Sequence, residues 1–128
     1  MADSCLPIKV AAVQASPVYL DREGTIEKAC SLIREAGETG AKIVAFPECF
    51  VSGYPHYYVS VLSNPFLEEK KNFKKLFKSS LEVPSPETER LCEAARRSNT
   101  YVVIGINERT SSSMGTLYNS QLFIDNKG

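Results

Sequence analysis

A strand-helix-strand pattern fills the first 48 residues of the chain. Ile8–Gln14 is a nearly continuous apolar, β-rich run, and Ile43–Phe46 is a second apolar run that stops before a proline. Between them, apolar side chains recur at steps of three and four residues after Asp21, which predicts an amphipathic helix closed by Gly37 and Gly40. Two strands joined by one helix most simply form a right-handed parallel crossover, and the apolar character of the first strand predicts cover on both of its faces.

The later sequence predicts two more helices and a hairpin. Leu67–Leu81 is rich in Lys and Glu and has apolar side chains at helical spacing, and Ser85-Pro86 is typical of an N-cap followed by proline at the first helical position. Tyr101–Ile106 and Thr116–Ile124 are β-rich, and the polar segment between them favours an antiparallel hairpin. Val51–Pro65 is too rich in Gly and Pro for regular structure and too aromatic for a linker, so we expect a packed loop. The predicted fold class is α/β.

Composition and charge argue against several kinds of partner. The chain has 128 residues, 43% hydrophobic content and a formal net charge of +0, as expected for one domain or part of one. Balanced charge gives no electrostatic reason to bind nucleic acid or an anionic membrane. No apolar stretch approaches the roughly 20 residues of a membrane span, and no secretory signal pattern opens the chain, so we expect an intracellular protein.

Glu48 is the main candidate for a functional residue. It follows the apolar run Ala41–Phe46 and Pro47, and such a run delivers its last residues to the rim of a sheet, where α/β proteins place their chemistry. Taken alone, Glu48 is either an exposed surface carboxylate or a general base, and both interpretations stay open at this point.

The cysteines favour neither a metal site nor a redox pair. Cys5, Cys30, Cys49 and Cys92 have no Cys-x-x-Cys spacing and the chain has one histidine, so we expect reduced and mostly buried thiols. Cys49 adjoins Glu48. If the backbone is extended there, the two side chains point to opposite faces, which predicts that Cys49 turns away from the pocket that Glu48 faces and has no catalytic role.

Five segments, in order, resemble the nitrilase superfamily of carbon–nitrogen hydrolases, and they are closest to its nitrilase and cyanide hydratase branch. They are Val10–Gln14, Gly40–Glu48, Gly53–Pro55, Gly105–Glu108, and Gly115–Asn119 running into Phe123–Asp125. The resemblance implies that the chain is the N-terminal part of a four-layer αββα sandwich. It also implies homo-oligomers, a cytoplasmic location, and no metal or organic cofactor.

The same resemblance assigns roles to three residues. Glu48 falls on the catalytic glutamate of a Glu-Lys-Cys triad, and Tyr54 resembles a pocket-lining tyrosine, with packing of the loop as the alternative. Asn119 lies in one of the matching segments, and we expect it to hydrogen-bond inside the site and contribute to substrate binding. The family's lysine and nucleophilic cysteine come later than Gly128 and have no counterpart in these residues. We therefore expect residues 1–128 to be a single, incomplete domain that is inactive by itself.

The resemblance implies an enzyme that converts a small nitrile to a carboxylic acid and ammonia. Two alternatives stay open: an amidase-like or cyanide-hydrating relative, and a truncated, non-catalytic module for oligomerisation or interaction. The sequence does not specify which nitrile or amide is the substrate.

Overall fold

The computed structural model describes residues 6–56, 65–113 and 115–128, so Cys5 and residues 57–64 of the predicted loop lie outside the described part. In chain order the elements are β1 (Val10–Ala12), α1 (Arg22–Glu38), β2 (Ile43–Ala45), α2 (Pro65–Ser79), α3 (Pro86–Ser98), β3 (Tyr101–Glu108) and β4 (Tyr118–Ile124). The strands form one sheet in the order β1-β2-β3-β4, with the first two pairings parallel and the third antiparallel. The α/β class, the parallel crossover and the antiparallel hairpin are thus confirmed.

Helix α1 begins and ends through local signals that the sequence carries. The Asp21 side chain caps its start by accepting a hydrogen bond from the backbone N–H of Gly24 at 3.0 Å. Gly37, predicted to close the helix, lies inside it instead. A Cβ at position 37 would lie only 2.7 Å from the Cβ of Ser98, so this glycine permits the close approach of α1 and α3.

Helix α3 begins at the predicted cap. Ser85 accepts from the backbone of Thr88, and the Thr88 hydroxyl accepts in turn from the Ser85 N–H, which completes a capping box ahead of the proline at the first helical position. Helix α2 spans residues Pro65–Ser79, two residues earlier than predicted at each end. Leu81 belongs instead to an isolated bridge with Glu108.

Helices α1 and α3 cover one face of the sheet. Side chains from both helices and from β2 and β3 share the core; those without solvent exposure include Ile26, Ile33, Val44, Leu91 and Ile104. Burying apolar side chains of this size stabilises a fold by about 1.5–3 kcal/mol each.

The opposite face of the sheet is open over β1 and over the end of β4 among the described residues. Val10 is 62% exposed and Phe123 is 75% exposed, and the register that aligns Val10 with Ile43 and Tyr101 places these side chains on the same face. Among the described residues the helices cover the first strand on one side only, and cover on its second face stays a prediction for the complete domain. The structure supplies one helix layer and one sheet layer of the predicted αββα sandwich.

The cysteines within the described residues are free thiols. Cys30 and Cys49 are buried and Cys92 is half-buried. Within residues 6–56, 65–113 and 115–128, no helix combines the length and the apolar character that crossing a bilayer demands.

Candidate active site

A tight turn after β2 carries Glu48. The strand ends at Ala45, and the Phe46 N–H still donates to Val103 in β3 at 2.8 Å, so the chain stays attached to the sheet as the turn begins. The turn then lies directly on Gly105. A Cβ there would be 2.6 Å from the Pro47 carbonyl oxygen and 2.8 Å from the Glu48 Cα, so only glycine lets the turn approach β3 this closely.

Strand β4 supplies the hydrogen-bond partner of Glu48. The antiparallel register pairs Asn119 with Asn107, which brings Asn119 to the end of the sheet that holds the turn. The Asn119 Nδ2 donates to the Glu48 Oε1 at 2.5 Å. Hydrogen bonds to an ionised carboxylate are roughly twice as strong as those between neutral groups, so this contact fixes the Glu48 side chain against β4.

The structure contradicts the predicted direction of Cys49. Its Sγ lies 3.5 Å from the Asn119 Oδ1, and the residue lines the same cavity as Glu48. The prediction assumed extended backbone, whereas residues 48–50 form a turn and Cys49 has a φ of +49°, in the left-handed region. Side chains in a turn do not alternate between two faces, so those of Glu48 and Cys49 both reach the Asn119 amide.

The Cys49 thiol is held in its protonated form. Burial, and secondarily the negative charge of Glu48, raises the pKa of the Cys49 thiol above its ordinary value. The side chain is 3% exposed. A buried thiol with a raised pKa is a poor nucleophile, because the thiolate is the reactive form.

Asn107 fastens the segment that follows the turn. Its Nδ2 donates to the carbonyls of Val51 at 3.2 Å and Gly53 at 2.9 Å, and its backbone N–H donates to Val51 at 2.6 Å. Asn107 is 5% exposed, so these bonds replace contacts with water. The sequence places this residue at a strand end but carries no signal for the contacts, which depend on how the turn packs against β3.

A cavity of about 470 Å³ unites the three predicted site residues, Glu48, Tyr54 and Asn119. Tyr54 is 45% exposed, and its ring centroid lies 5.3 Å from that of His56. The apolar part of the wall comes from α2 and from the segment before β4; its members include Phe73, Leu76 and Leu117. Glu48 itself is exposed within the described residues.

The cavity therefore combines one fixed carboxylate, the amides of Asn107 and Asn119, the phenols of Tyr54 and Tyr118, and an apolar wall. Such an arrangement suits a small molecule with a polar reacting group and a carbon side chain. A carboxylate held in place at the mouth of a pocket can accept and return a proton. Among the described residues, no group of three or more His, Cys, Asp or Glu side chains is arranged to hold a metal ion.

Comparisons with known proteins point to one family. Residues 9–128 match the family profile described as carbon-nitrogen hydrolase. The chain is 45% identical over 120 residues to an aliphatic nitrilase of Rhodococcus rhodochrous, covering 94% of this chain and 31% of the relative. It is 42% identical over 120 residues to a cyanide hydratase of Armillaria gallica, covering 94% and 32%.

Solved structures agree on the fold. The crystal structure of the C. elegans NitFhit protein matches with a TM-score of 0.65 at 22% identity, over 92% of this chain and 25% of that one. The chain thus spans about a third of the length of the curated relatives, at 31% and 32% of the two described above.

Proposed function

The chain belongs to the carbon–nitrogen hydrolase family, and we propose that it forms the N-terminal part of a nitrilase-type enzyme that converts a small nitrile to a carboxylic acid and ammonia. One observation carries the proposal: Glu48 is held by Asn119 at 2.5 Å on the wall of a cavity that both polar and apolar side chains line. The 45% identity to an aliphatic nitrilase supports the choice of a nitrile substrate.

In the proposed reaction Glu48 is the general base of a Glu-Lys-Cys triad. It accepts the proton of a cysteine thiol as the sulfur attacks the nitrile carbon, and the lysine stabilises the negative charge that develops. The product of attack is a thioimidate. One water releases ammonia and leaves a thioester, and a second water, activated by Glu48, releases the acid and restores the thiol.

Neither the lysine nor the nucleophile of this triad is assigned to the present residues. Cys49 is the thiol nearest Glu48, but its hydrogen bond to Asn119, its burial and its raised pKa all oppose nucleophilic attack. We therefore propose that the nucleophile belongs to the remainder of the domain and that residues 1–128 alone are inactive.

In this proposal Tyr54 contacts the substrate directly and Asn119 acts through Glu48. Tyr54 lies on the cavity wall, and we propose that its ring contacts the carbon portion of the substrate while its hydroxyl faces the polar end. Asn119 contributes through Glu48, because its amide N–H group is already bonded to that carboxylate.

Product analysis on the complete protein tests the proposal. Small aliphatic and arylaliphatic nitriles are incubated with the enzyme, and the acid, the amide and the ammonia are each quantified. The proposal expects acid and ammonia in equal amounts. Absence of both, with the nitrile unchanged across the panel, would reject a nitrile-hydrolysing enzyme and leave an amidase-like relative or a non-catalytic module.

Hydration is the second candidate, and the 42% identity to a cyanide hydratase favours it. Here water adds to the thioimidate, and the tetrahedral intermediate expels the thiol instead of ammonia, so the amide accumulates. The same assay separates the two reactions, because hydration yields the amide without ammonia. Feeding amides directly tests for an amidase-like relative, which would release ammonia from the amide but leave nitriles intact.

Homo-oligomerisation and a cytoplasmic location belong to the same proposal. When the open face of the sheet is buried within the complete domain, the outer helix layers are the surfaces that remain for contact with other copies of the chain. Light scattering on the complete protein gives the native mass, and a monomer would contradict this part of the proposal.

A further inference from the structure

The amide of Asn119 bridges two side chains of the turn after β2. At one end its Nδ2 donates to the Glu48 Oε1 at 2.5 Å, and at the other its Oδ1 lies 3.5 Å from the Cys49 Sγ. We propose that Cys49 is a positioning residue that fixes the orientation of the Asn119 amide and, through it, the Glu48 carboxylate. This inference rests on the proposed function, in which Glu48 is the base.

Hydrogen-bonding chemistry permits only one orientation of the bridge. A carboxylate only accepts, and a thiol donates through S–H and accepts weakly. With Nδ2 toward Glu48 and Oδ1 toward Cys49, each contact joins a donor to an acceptor. Rotating the amide by half a turn would place its oxygen against the carboxylate and its N–H group against the S–H. The carboxylate sets which end of the amide faces Glu48, and the Cys49 S–H adds a contact that holds the opposite end, Oδ1, in place.

The thiol is suited to this role because it stays protonated. Burial and the charge of Glu48 raise the pKa of the Cys49 thiol, so the S–H donor persists at neutral pH. Its position is also fixed by the backbone. The turn lies against Gly105, where a Cβ would be 2.7 Å from the Cys49 N, so the residue has little freedom to move away from Asn119.

Three variants of the complete protein test the proposal. Cys49→Ala removes the donor, Cys49→Ser keeps one, and Cys30→Ala is the matched control. Cys30 is also a buried cysteine, 8% exposed, and its Sγ lies 3.5 Å from a backbone carbonyl, that of Arg90, remote from the cavity. One hydrogen bond contributes about 1 kcal/mol, so Cys49→Ala is expected to lower kcat about fivefold while KM changes less than twofold. Cys49→Ser and Cys30→Ala are expected to stay within twofold of the wild-type kcat.

A double-mutant cycle separates positioning from packing. In an Asn119→Ala background the amide is gone, so adding Cys49→Ala is expected to lower kcat no further. If Cys49→Ala fails to fold, Cys49→Ser still tests whether a hydrogen-bond donor at position 49 is what matters. A fivefold lower kcat for Cys49→Ser, which keeps a hydroxyl donor, would overturn the proposal. It would also be overturned if Cys49→Ala kept the wild-type kcat, or lowered it equally in both backgrounds.

One further variant distinguishes failure of this inference from failure of the proposed function. Glu48→Gln should abolish turnover if Glu48 is the base. If Glu48→Gln is inactive while Cys49→Ala is fully active, only the positioning role falls. If Glu48→Gln keeps the wild-type rate, the proposed function falls and the positioning role falls with it.

Discussion

Replacing Gly105 by alanine is predicted to displace the turn that carries Glu48. The new Cβ would lie 2.6 Å from the Pro47 carbonyl oxygen, 2.7 Å from the Cys49 N and 2.8 Å from the Glu48 Cα, and all three are backbone atoms that no rotamer change can move away. Ordinary contact begins near 3.4 Å, so the turn has to move by about 0.8 Å. Overpacking of this kind costs about 1–3 kcal/mol of stability, and a misplacement of about 1 Å can lower the rate about a hundredfold.

The matched control is Gly37→Ala, at the contact between α1 and α3. Its Cβ would lie 2.7 Å from the Cβ of Ser98, a similar overlap away from the cavity. Thermal unfolding and nitrile turnover of the complete protein are measured for both variants, well below their melting temperatures. We expect similar losses of stability, with a large loss of kcat for Gly105→Ala alone. If Gly105→Ala retains the turnover of Gly37→Ala, the predicted displacement of the turn that carries Glu48 is wrong.

Three other perturbations have defined outcomes. Asn107→Ala removes the donor to two backbone carbonyls and should lower the free energy of unfolding by about 1–3 kcal/mol, seen as a lower urea midpoint; an unchanged midpoint would contradict the fastening role. Ser85→Ala breaks the capping box of α3 and should cost about 1 kcal/mol in the same assay, while a stabilised variant would refute it. Iodoacetamide at neutral pH should label the half-buried Cys92 before Cys49. Labelling of Cys49 should begin to rise at a higher pH in the folded protein than in the unfolded protein, because burial and the charge of Glu48 raise the pKa of its thiol. Faster labelling of Cys49 in the folded protein would contradict this.

The raised pKa values of the thiols also predict the direction in which stability changes with pH. The folded state keeps the protons of Cys30, Cys49 and Cys92 to higher pH than the unfolded chain does, since burial is the leading cause of each raised pKa. The contribution of these thiols to the free energy of unfolding is complete below the ordinary pKa of cysteine. It is lost as the pH rises through their pKa values in the folded protein.

Local patterns were sufficient to predict the elements of the fold. The apolar spacing after Asp21 gives α1, Ser85-Pro86 gives the start of α3, and the polar turn before β4 gives the hairpin, because each depends on neighbours within a few residues. The resemblance also located Glu48, Tyr54 and Asn119, which the structure brings to one cavity.

Features that depend on tertiary packing were missed or wrongly predicted. Cys49 was expected to face away from Glu48, since alternation holds only for extended backbone and nothing local announces its left-handed φ. The close contact at Gly105 and the bonds of Asn107 join segments more than fifty residues apart. Cover on the second face of β1 stays a prediction, because apolar character gives the tendency to be buried but not what provides the cover.

Turnover of the Glu48→Gln variant shows whether Glu48 is the catalytic base. Glutamine keeps the size of the side chain and an oxygen that can accept from Asn119, but it cannot accept a proton as a base. Ammonia release from a nitrile by the complete protein is compared with that of Glu23→Gln, an exposed carboxylate paired with Arg90 away from the cavity. We expect a loss of at least about a hundredfold for Glu48→Gln and wild-type turnover for Glu23→Gln. Equal turnover by both variants would contradict the assignment of Glu48 as the catalytic base.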